Sequence, residues 1–182
     1  MIHLFNDSMT SLEHALSQIP VFSTIHDHLF TSGQPSAEDL QNIKAYGFST
    51  VINLALSDAD PHLEHEDRIC LELGLNYIHL PILWEMPTAE QCILVLDLID
   101  HLVQTDMVWV HCAKNFRVSS LMYLYHQYYM GMDIGTAQEL LHQIWEPNET
   151  WTGIIHSVAL QLQGRKATQE IEQSLIHPDH FA

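Results

Sequence analysis

Hydrophobic and polar positions along the chain switch between a period of two and a period near 3.6, and turn-forming residues mark the switches. Val21 to Leu29 alternates as a strand or hairpin does and runs into the turn Thr31-Ser32-Gly33-Gln34-Pro35. Ser36 then reads as an N-cap, with Glu38 and Asp39 in the first turn, Leu40 and Ile43 one helical step apart, and Gly47 closing the helix. The β-branched run from Ser49 to Leu54 predicts a strand. An acidic stretch from Asp58 to Asp67 reads as a solvated face. It leads into a helix with Ile69, Cys70 and Leu73 inward that stops at Gly74. Asn76 to Leu80 is the next strand, followed by the loop Pro81-Ile82-Leu83-Trp84-Glu85-Met86-Pro87.

Thr88 and Gln91 have the spacing of a capping box. The helix they open carries Cys92, Val95, Leu96, Ile99, Leu102 and Val103 on one stripe, which makes Cys92, like Cys70, an inert core residue. Met107 to His111 is a short apolar strand with the composition of one buried on both faces. A helix from about Arg117 to Met130 sets Leu121, Leu124, Tyr125 and Tyr128 at core spacing, and two further helices are predicted at about Ile134 to Trp145 and Trp151 to Gln163. Residues after Gly164 are polar, with a weak helical stretch from Ile171 to Ile176. Strands alternating with helices predict an α/β fold with a mostly parallel central sheet flanked by helices. The chain reads as one domain over 1–182, with its core at about 20–163 and a polar tail at 164–182. In such sheets ligands bind outside the carboxyl ends of the strands, which points to the loops after Leu80 and after His111.

Composition narrows the chemistry. Apolar residues make up 47% and charged residues 16% of 182, the balance of a core-forming globule. Six Lys+Arg against 23 Asp+Glu give a net charge of −17, which argues against nucleic acid or an anionic membrane as partner. No apolar run approaches the roughly 20 residues of a membrane helix, and Met1 to Thr10, with His3 and Asp7, has no basic export signal. Three cysteines without CxxC spacing fit reduced thiols in the cytoplasm better than a disulfide framework or a zinc site. The histidine pairs His26/His28, His62/His65 and His177/His180 lack HExxH form and read as surface groups, so no metal site is expected.

The scarce cations converge at one place. In His111-Cys112-Ala113-Lys114-Asn115-Phe116-Arg117-Val118-Ser119, a cysteine leaves a buried strand, four residues curl and a helix begins. Loop N–H groups, the positive end of a helix, Lys114 and Arg117 would then surround the thiol. These are conditions that lower a cysteine pKa from about 8.5 toward roughly 3.5–7.5.

This segment resembles the phosphate-binding loop of cysteine-dependent protein tyrosine phosphatases, in their compact dual-specificity branch, whose motif is H-C-x5-R-S/T. Ser32-Gly33-Gln34-Pro35, Ile52-Asn53-Leu54 and Gly74-Leu75-Asn76-Tyr77-Ile78-His79-Leu80-Pro81 occur in the same order in a bacterial branch of that superfamily, the phosphatase-like domain also found in β-lactamase-hydrolase-like proteins. The likeness runs from about Phe22 to Trp151. It implies a dual-specificity-phosphatase-like fold and a two-step hydrolysis of phosphomonoesters of phosphotyrosine type. Cys112 would attack phosphorus while Arg117 and the amides of Ala113, Lys114, Asn115, Phe116 and Val118 hold its oxygens. It further implies that Ser119 assists the departing thiolate, that Glu85 is the general acid, and that His111 supports the cysteine. No cofactor is implied. The implied partners are a phosphate-bearing small molecule or phosphoprotein, with phosphate or sulfate bound at the Cys112 loop.

The match departs from the family at one point. Four residues separate Cys112 from Arg117 where the family has five, and the mid-loop glycine is absent, while Ser119 keeps the family's spacing from the cysteine. Either the loop is one residue short and Val118 follows as an insertion, or Arg117 has moved one place and Val118 stands where the arginine would be. A one-residue step turns a helical side chain by about 100°, and a misplacement of roughly 1 Å can cost about 100-fold in rate. Two alternatives therefore stand beside a weakened phosphatase. One is a non-catalytic phosphate-binding pseudophosphatase. The other is a sulfurtransferase-like persulfide carrier, since rhodaneses use a six-residue loop that begins with cysteine and often ends in arginine.

Overall fold

The structure, a computed structural model, describes residues 11–176. The N-terminal segment Met1 to Thr10 and the pair His177/His180 lie outside the described residues. Helical residues 11–17 (α1) precede a hairpin of β1 (Ser23–His26) and β2 (Leu29–Ser32). Then follow α2 (Ala37–Tyr46), β3 (Thr50–Asn53), α3 (Glu66–Glu72), β4 (Asn76–His79), α4 (Ala89–Leu102), β5 (Val108–His111), α5 (Phe116–Tyr128), α6 (Ile134–His142) and α7 (Glu149–Ile176).

The five strands form one sheet in the order β1-β2-β5-β3-β4, parallel except for the β1–β2 hairpin. Central strand β5 shows why the run Val108-Trp109-Val110-His111 lacks polar alternation. Val108 and Val110 pack with α4, α5 and α7 on one face, while Trp109 packs with α1, α2 and α3 residues on the other. The α/β fold and its mostly parallel sheet are as the sequence predicts. Ser36 caps α2 through a reciprocal capping box with Asp39, and Gly47 takes φ 124° at its end, a conformation that favours glycine.

The C-terminal third differs from expectation. Helix α6 stops at His142 rather than near Trp145, and α7 runs unbroken for 28 residues, absorbing the predicted helix and residues 164–176 of the stretch read as a polar tail. One interior glycine costs only about 1 kcal/mol, too little to end a helix flanked by good helix formers. Just past Gly164, Arg165 donates from Nη1 to both oxygens of Asp97 on α4, at 2.9 and 2.8 Å, and ties the next turn down.

Among the described residues no helix is long and apolar enough to cross a membrane. No group of three or more His, Cys, Asp or Glu there is placed to hold a metal ion.

Candidate active site

The carboxyl ends of β3, β4 and β5 converge where the chain leaves His111, and Cys112 is buried at the start of the following loop. The loop closes through Asn115, which takes the left-handed conformation (φ 61°, ψ 5°) immediately before α5. Asparagine tolerates that region better than most residues. Its buried side chain donates from Nδ2 to Val21 O at 2.8 Å and to Thr31 Oγ1 at 3.3 Å. Val21 itself has φ 52°, unusual for a β-branched residue, so a strained segment is anchored to the loop. The Ser-Gly-Gln-Pro turn packs against the same loop. Gln34 N donates to Ala113 O at 3.1 Å, and a Cβ on Gly33 would lie 3.0 Å from that oxygen. A side chain there would force the backbone oxygens of Ala113 and Pro20 to give by a few tenths of an ångström.

No side chain caps the first turn of α5, leaving its backbone donors available beside the cysteine. Cys112, Ala113, Lys114, Phe116 and Arg117 line one cavity of about 400 Å³ together with Trp84, Glu85, Leu56, Ala59 and Asp60. Arg117 is 7% exposed, and its Nε donates to Ile82 O at 2.8 Å. Its guanidinium lies 5.3 Å from the centroid of the Trp84 ring, a cation–π contact. Trp84 is fixed in turn, because Trp151 Nε1 donates to its carbonyl at 3.1 Å and its ring packs against Trp145 and Trp151. Among the described residues no carboxylate pairs with Arg117.

A larger cavity of about 520 Å³ lies next door and shares Leu56. Its wall holds His62, His65, His79 and the carboxylates Glu64, Glu66 and Asp67, but no lysine or arginine. The smaller cavity is therefore the one with the charge to bind phosphate.

Behind the cysteine stands a polar cluster that sequence reasoning missed. Glu66, the first residue of α3, is 5% exposed although it belongs to the stretch read as a solvated face. It accepts hydrogen bonds from Gln34 Nε2 (3.2 Å), Asn53 Nδ2 (2.9 Å) and Tyr77 OH (3.1 Å). His111 Nε2 lies 2.8 Å from Oε1. His111 Nδ1 has no hydrogen-bond partner among the described residues. Glu66 thus gathers one side chain from β3, β4 and β5 and one from the turn after β2. Burial alone would raise its carboxyl pKa, but the contacts from His111, Tyr77 and Gln34 outweigh burial and hold it below the usual range. No local pattern marks it, because its partners are scattered along the chain.

The other predicted residues divide. Glu85 and the exposed Lys114 line the Cys112 cavity. Ser119 does not. It lines a separate small cavity with Thr31, His126 and Leu141, and its Oγ donates to Phe116 O at 3.1 Å. Val118 packs into the core, so it could contribute only its backbone amide. The reason is rotational: with Arg117 turned toward the cavity, the next two side chains of α5 are carried away from it. Asp60, part of the acidic stretch that reads as a solvated face, lines the cavity. Cys70 and Cys92 are buried thiols pushed up to about 12, mainly by burial, as befits inert core residues.

Over residues 16–170 the sequence matches the family described as DSP-PTPase phosphatase fused to NAD+ kinase. The chain belongs to this family. No curated protein matches the sequence. Among solved structures, the fold is similar to a DUF442 protein of Shewanella putrefaciens, described as a phosphatase, with 22% identity, 81% of this chain and 96% of that one covered, and a TM-score of 0.72. It is also similar to the catalytic core of the PP-IP phosphatase SIW14 from S. cerevisiae (12% identity, 84% and 94% covered, TM-score 0.65), whose structure holds citrate. TpbA of P. aeruginosa shares the fold at 16% identity, with 78% and 90% covered and a TM-score of 0.63. The chain is thus a dual-specificity-like member of the cysteine-based phosphatase superfamily, as its His-Cys loop implies.

Proposed function

We propose that the chain is a slow cysteine-dependent phosphatase acting on phosphomonoesters. The observation that carries this reading is that Cys112, Arg117 and the uncapped start of α5 border one cavity together with two carboxylates. In the first step the Cys112 sulfur attacks phosphorus and the ester P–O bond breaks. The leaving oxygen takes a proton from Glu85. In the second step Glu85 removes a proton from water, the water oxygen attacks phosphorus, and the P–S bond breaks to release phosphate and restore the thiolate. Arg117 and the amides of Ala113 to Val118 stabilise the equatorial oxygens. Ser119 has no part in this scheme, since its hydroxyl faces another cavity. A related fold, TpbA, is known in complex with phosphotyrosine, which fits a phosphate ester as the ligand class.

The rate is low on this reading because Arg117 binds Ile82 O through Nε, so only its Nη edge is left for phosphate. The same contact favours a second reading, a pseudophosphatase that binds phosphate without turning it over. Hydrolysis of p-nitrophenyl phosphate separates the two. The proposal expects slow turnover that disappears in Cys112→Ser. Absent turnover in the wild type, with inorganic phosphate still bound by calorimetry, supports the second reading instead. Glu85→Gln should slow a substrate with a poor leaving group, phenyl phosphate, by about 100-fold, and p-nitrophenyl phosphate far less. Equal losses would remove Glu85 from the acid role, and Asp60→Asn is then the variant to test.

A further inference from the structure

The cavity beside the Cys112 site has a chemistry of its own. At about 520 Å³ it has the volume of a small-ligand site, and it meets the phosphate cavity at Leu56. Its wall is rich in acceptors. Glu64 and Asp67 stand exposed on it, and neither makes an ion pair among the described residues. Two histidines of the wall add to them through their tautomers. His62 Nδ1 lies 2.8 Å from Ala59 O, and His79 Nε2 lies 2.7 Å from Ala55 O. A carbonyl oxygen can only accept, so each ring donates its N–H to the backbone and, when neutral, keeps a lone pair on its other nitrogen.

Gln34 supplies an independent observation. Its side chain lines the same cavity and is only 9% exposed. Nε2 donates to Pro35 O at 3.1 Å and to Glu66 Oε1 at 3.2 Å, which fixes the orientation of the amide. Its Oε1 is left buried with no hydrogen-bond partner among the described residues. Such an oxygen calls for a donor. With no lysine or arginine in the wall, an anionic group would meet only carboxylates and lone pairs, whereas a cation rich in N–H donors matches the carboxylates and the Gln34 oxygen together.

We propose that this cavity receives the alcohol half of the substrate and selects phosphomonoesters in which that half carries an ammonium or guanidinium group. The assignment rests on the Cys112 cavity being the phosphate site. The two cavities then sort a zwitterionic substrate by charge: the phosphate goes to the side of Lys114 and Arg117, and the cation passes Leu56 to the side of Glu64 and Asp67. An ester whose alcohol half is itself anionic is repelled.

Matched substrates that differ only in the cation test this. One pair is a phosphotyrosyl peptide with arginine beside the phosphotyrosine, on each side in turn, against the same peptide with citrulline. The other is tyramine O-phosphate against its N-acetyl form. The cationic member should have the higher kcat/KM by about 10-fold at low salt, as two partly exposed ion pairs would give, and the preference should fade toward about 1 M salt. A preference in the peptide pair alone assigns a phosphoprotein as the source of the cation, and one in the amine pair alone assigns a small molecule. Glu64→Gln combined with Asp67→Asn should bring the ratio near unity, and both positions are exposed, so the fold is kept. Glu170→Gln combined with Glu172→Gln removes the same charge from exposed positions of α7 that line neither cavity, and should leave the ratio as it is. A ratio near unity in both pairs overturns the proposal. So does a preference that the α7 control removes equally, since the net charge of the chain would then be what attracts the cation. Hydrolysis of p-nitrophenyl phosphate separates this failure from that of the phosphatase reading: turnover with ratios near unity sinks the cavity assignment alone. If nothing is hydrolysed, the ratio is read from the dissociation constants of the same pairs by calorimetry. A preference there upholds the assignment in a phosphate-binding protein, and no binding of either member overturns both readings.

Discussion

On one flank of Cys112 the polar groups retain binding capacity: Arg117 has no carboxylate partner among the described residues, the first turn of α5 has no side-chain cap, and both border an open cavity. On the other flank Glu66 is buried and gathers three hydrogen bonds and the close approach of His111 Nε2. The first arrangement is suited to an incoming anion, which would meet the Nη edge of Arg117 and the uncapped first-turn amides of α5. The second is suited to holding still the strand ends from which the loop departs, because its hydrogen bonds tie β3, β4 and the turn after β2 to one buried carboxylate. Substitutions on the two flanks should therefore fail differently, one in rate and the other in stability.

The largest effect should come from the open flank. Arg117→Met is expected to lower phosphatase turnover by about 100- to 1,000-fold with a small change in melting temperature. A melting temperature that collapses with the activity would mean Arg117 is mainly structural and would erase the contrast. Next in size, Glu66→Gln should destabilise the chain by about 3 kcal/mol in urea titration, because it removes a buried carboxylate that three donors face and places an amide donor among them. A wild-type-like midpoint would show that the cluster does not hold the strand ends.

The same residue gives a pH prediction with a definite sign. The folded state holds the Glu66 carboxyl below its ordinary value, so the unfolded chain binds the proton more readily. Its contribution to stability is present above the unfolded value of about 4.3 and is lost as pH falls from there through the folded value. The wild type should therefore lose more stability than Glu66→Gln on acidification below about pH 4.3. Parallel curves for the two would contradict this. The smallest effect concerns Asn115. Asn115→Ala should cost about 1–2 kcal/mol more than Asn115→Gly, since only the alanine meets the left-handed backbone penalty. Equal losses would assign the role of Asn115 to its hydrogen bonds alone.

How far the sequence alone leads follows the same division. Strands β3, β4 and β5, the α2 cap and the cysteine loop are legible because each is encoded by neighbours: β-branched and apolar runs, a cap with its reciprocal acid, and an anionic-ligand motif beside the chain's scarce cations. Strand β2 is not, since Thr31 and Ser32 read as a turn and lie in the strand. Glu66 is not, since its meaning depends on Gln34, Asn53, Tyr77 and His111 meeting only after the sheet forms. Ser119 shows the opposite failure. Its spacing from Cys112 suits the family motif, yet the shorter curl to Arg117 changes which faces of α5 look into the cavity. The length of α7 is not legible either, because Gly164 and the polar residues beyond it resemble a terminus, and the Arg165–Asp97 contact that ties the next turn down joins distant parts of the chain.

The most direct test is to quench the enzyme in acid during turnover of p-nitrophenyl phosphate and weigh the peptide that contains Cys112. The account predicts a fraction of that peptide heavier by one phosphoryl group, absent from Cys112→Ser. Turnover with no such adduct, or a peptide heavier by one sulfur atom after incubation with thiosulfate and inactive on phosphate esters, would contradict it.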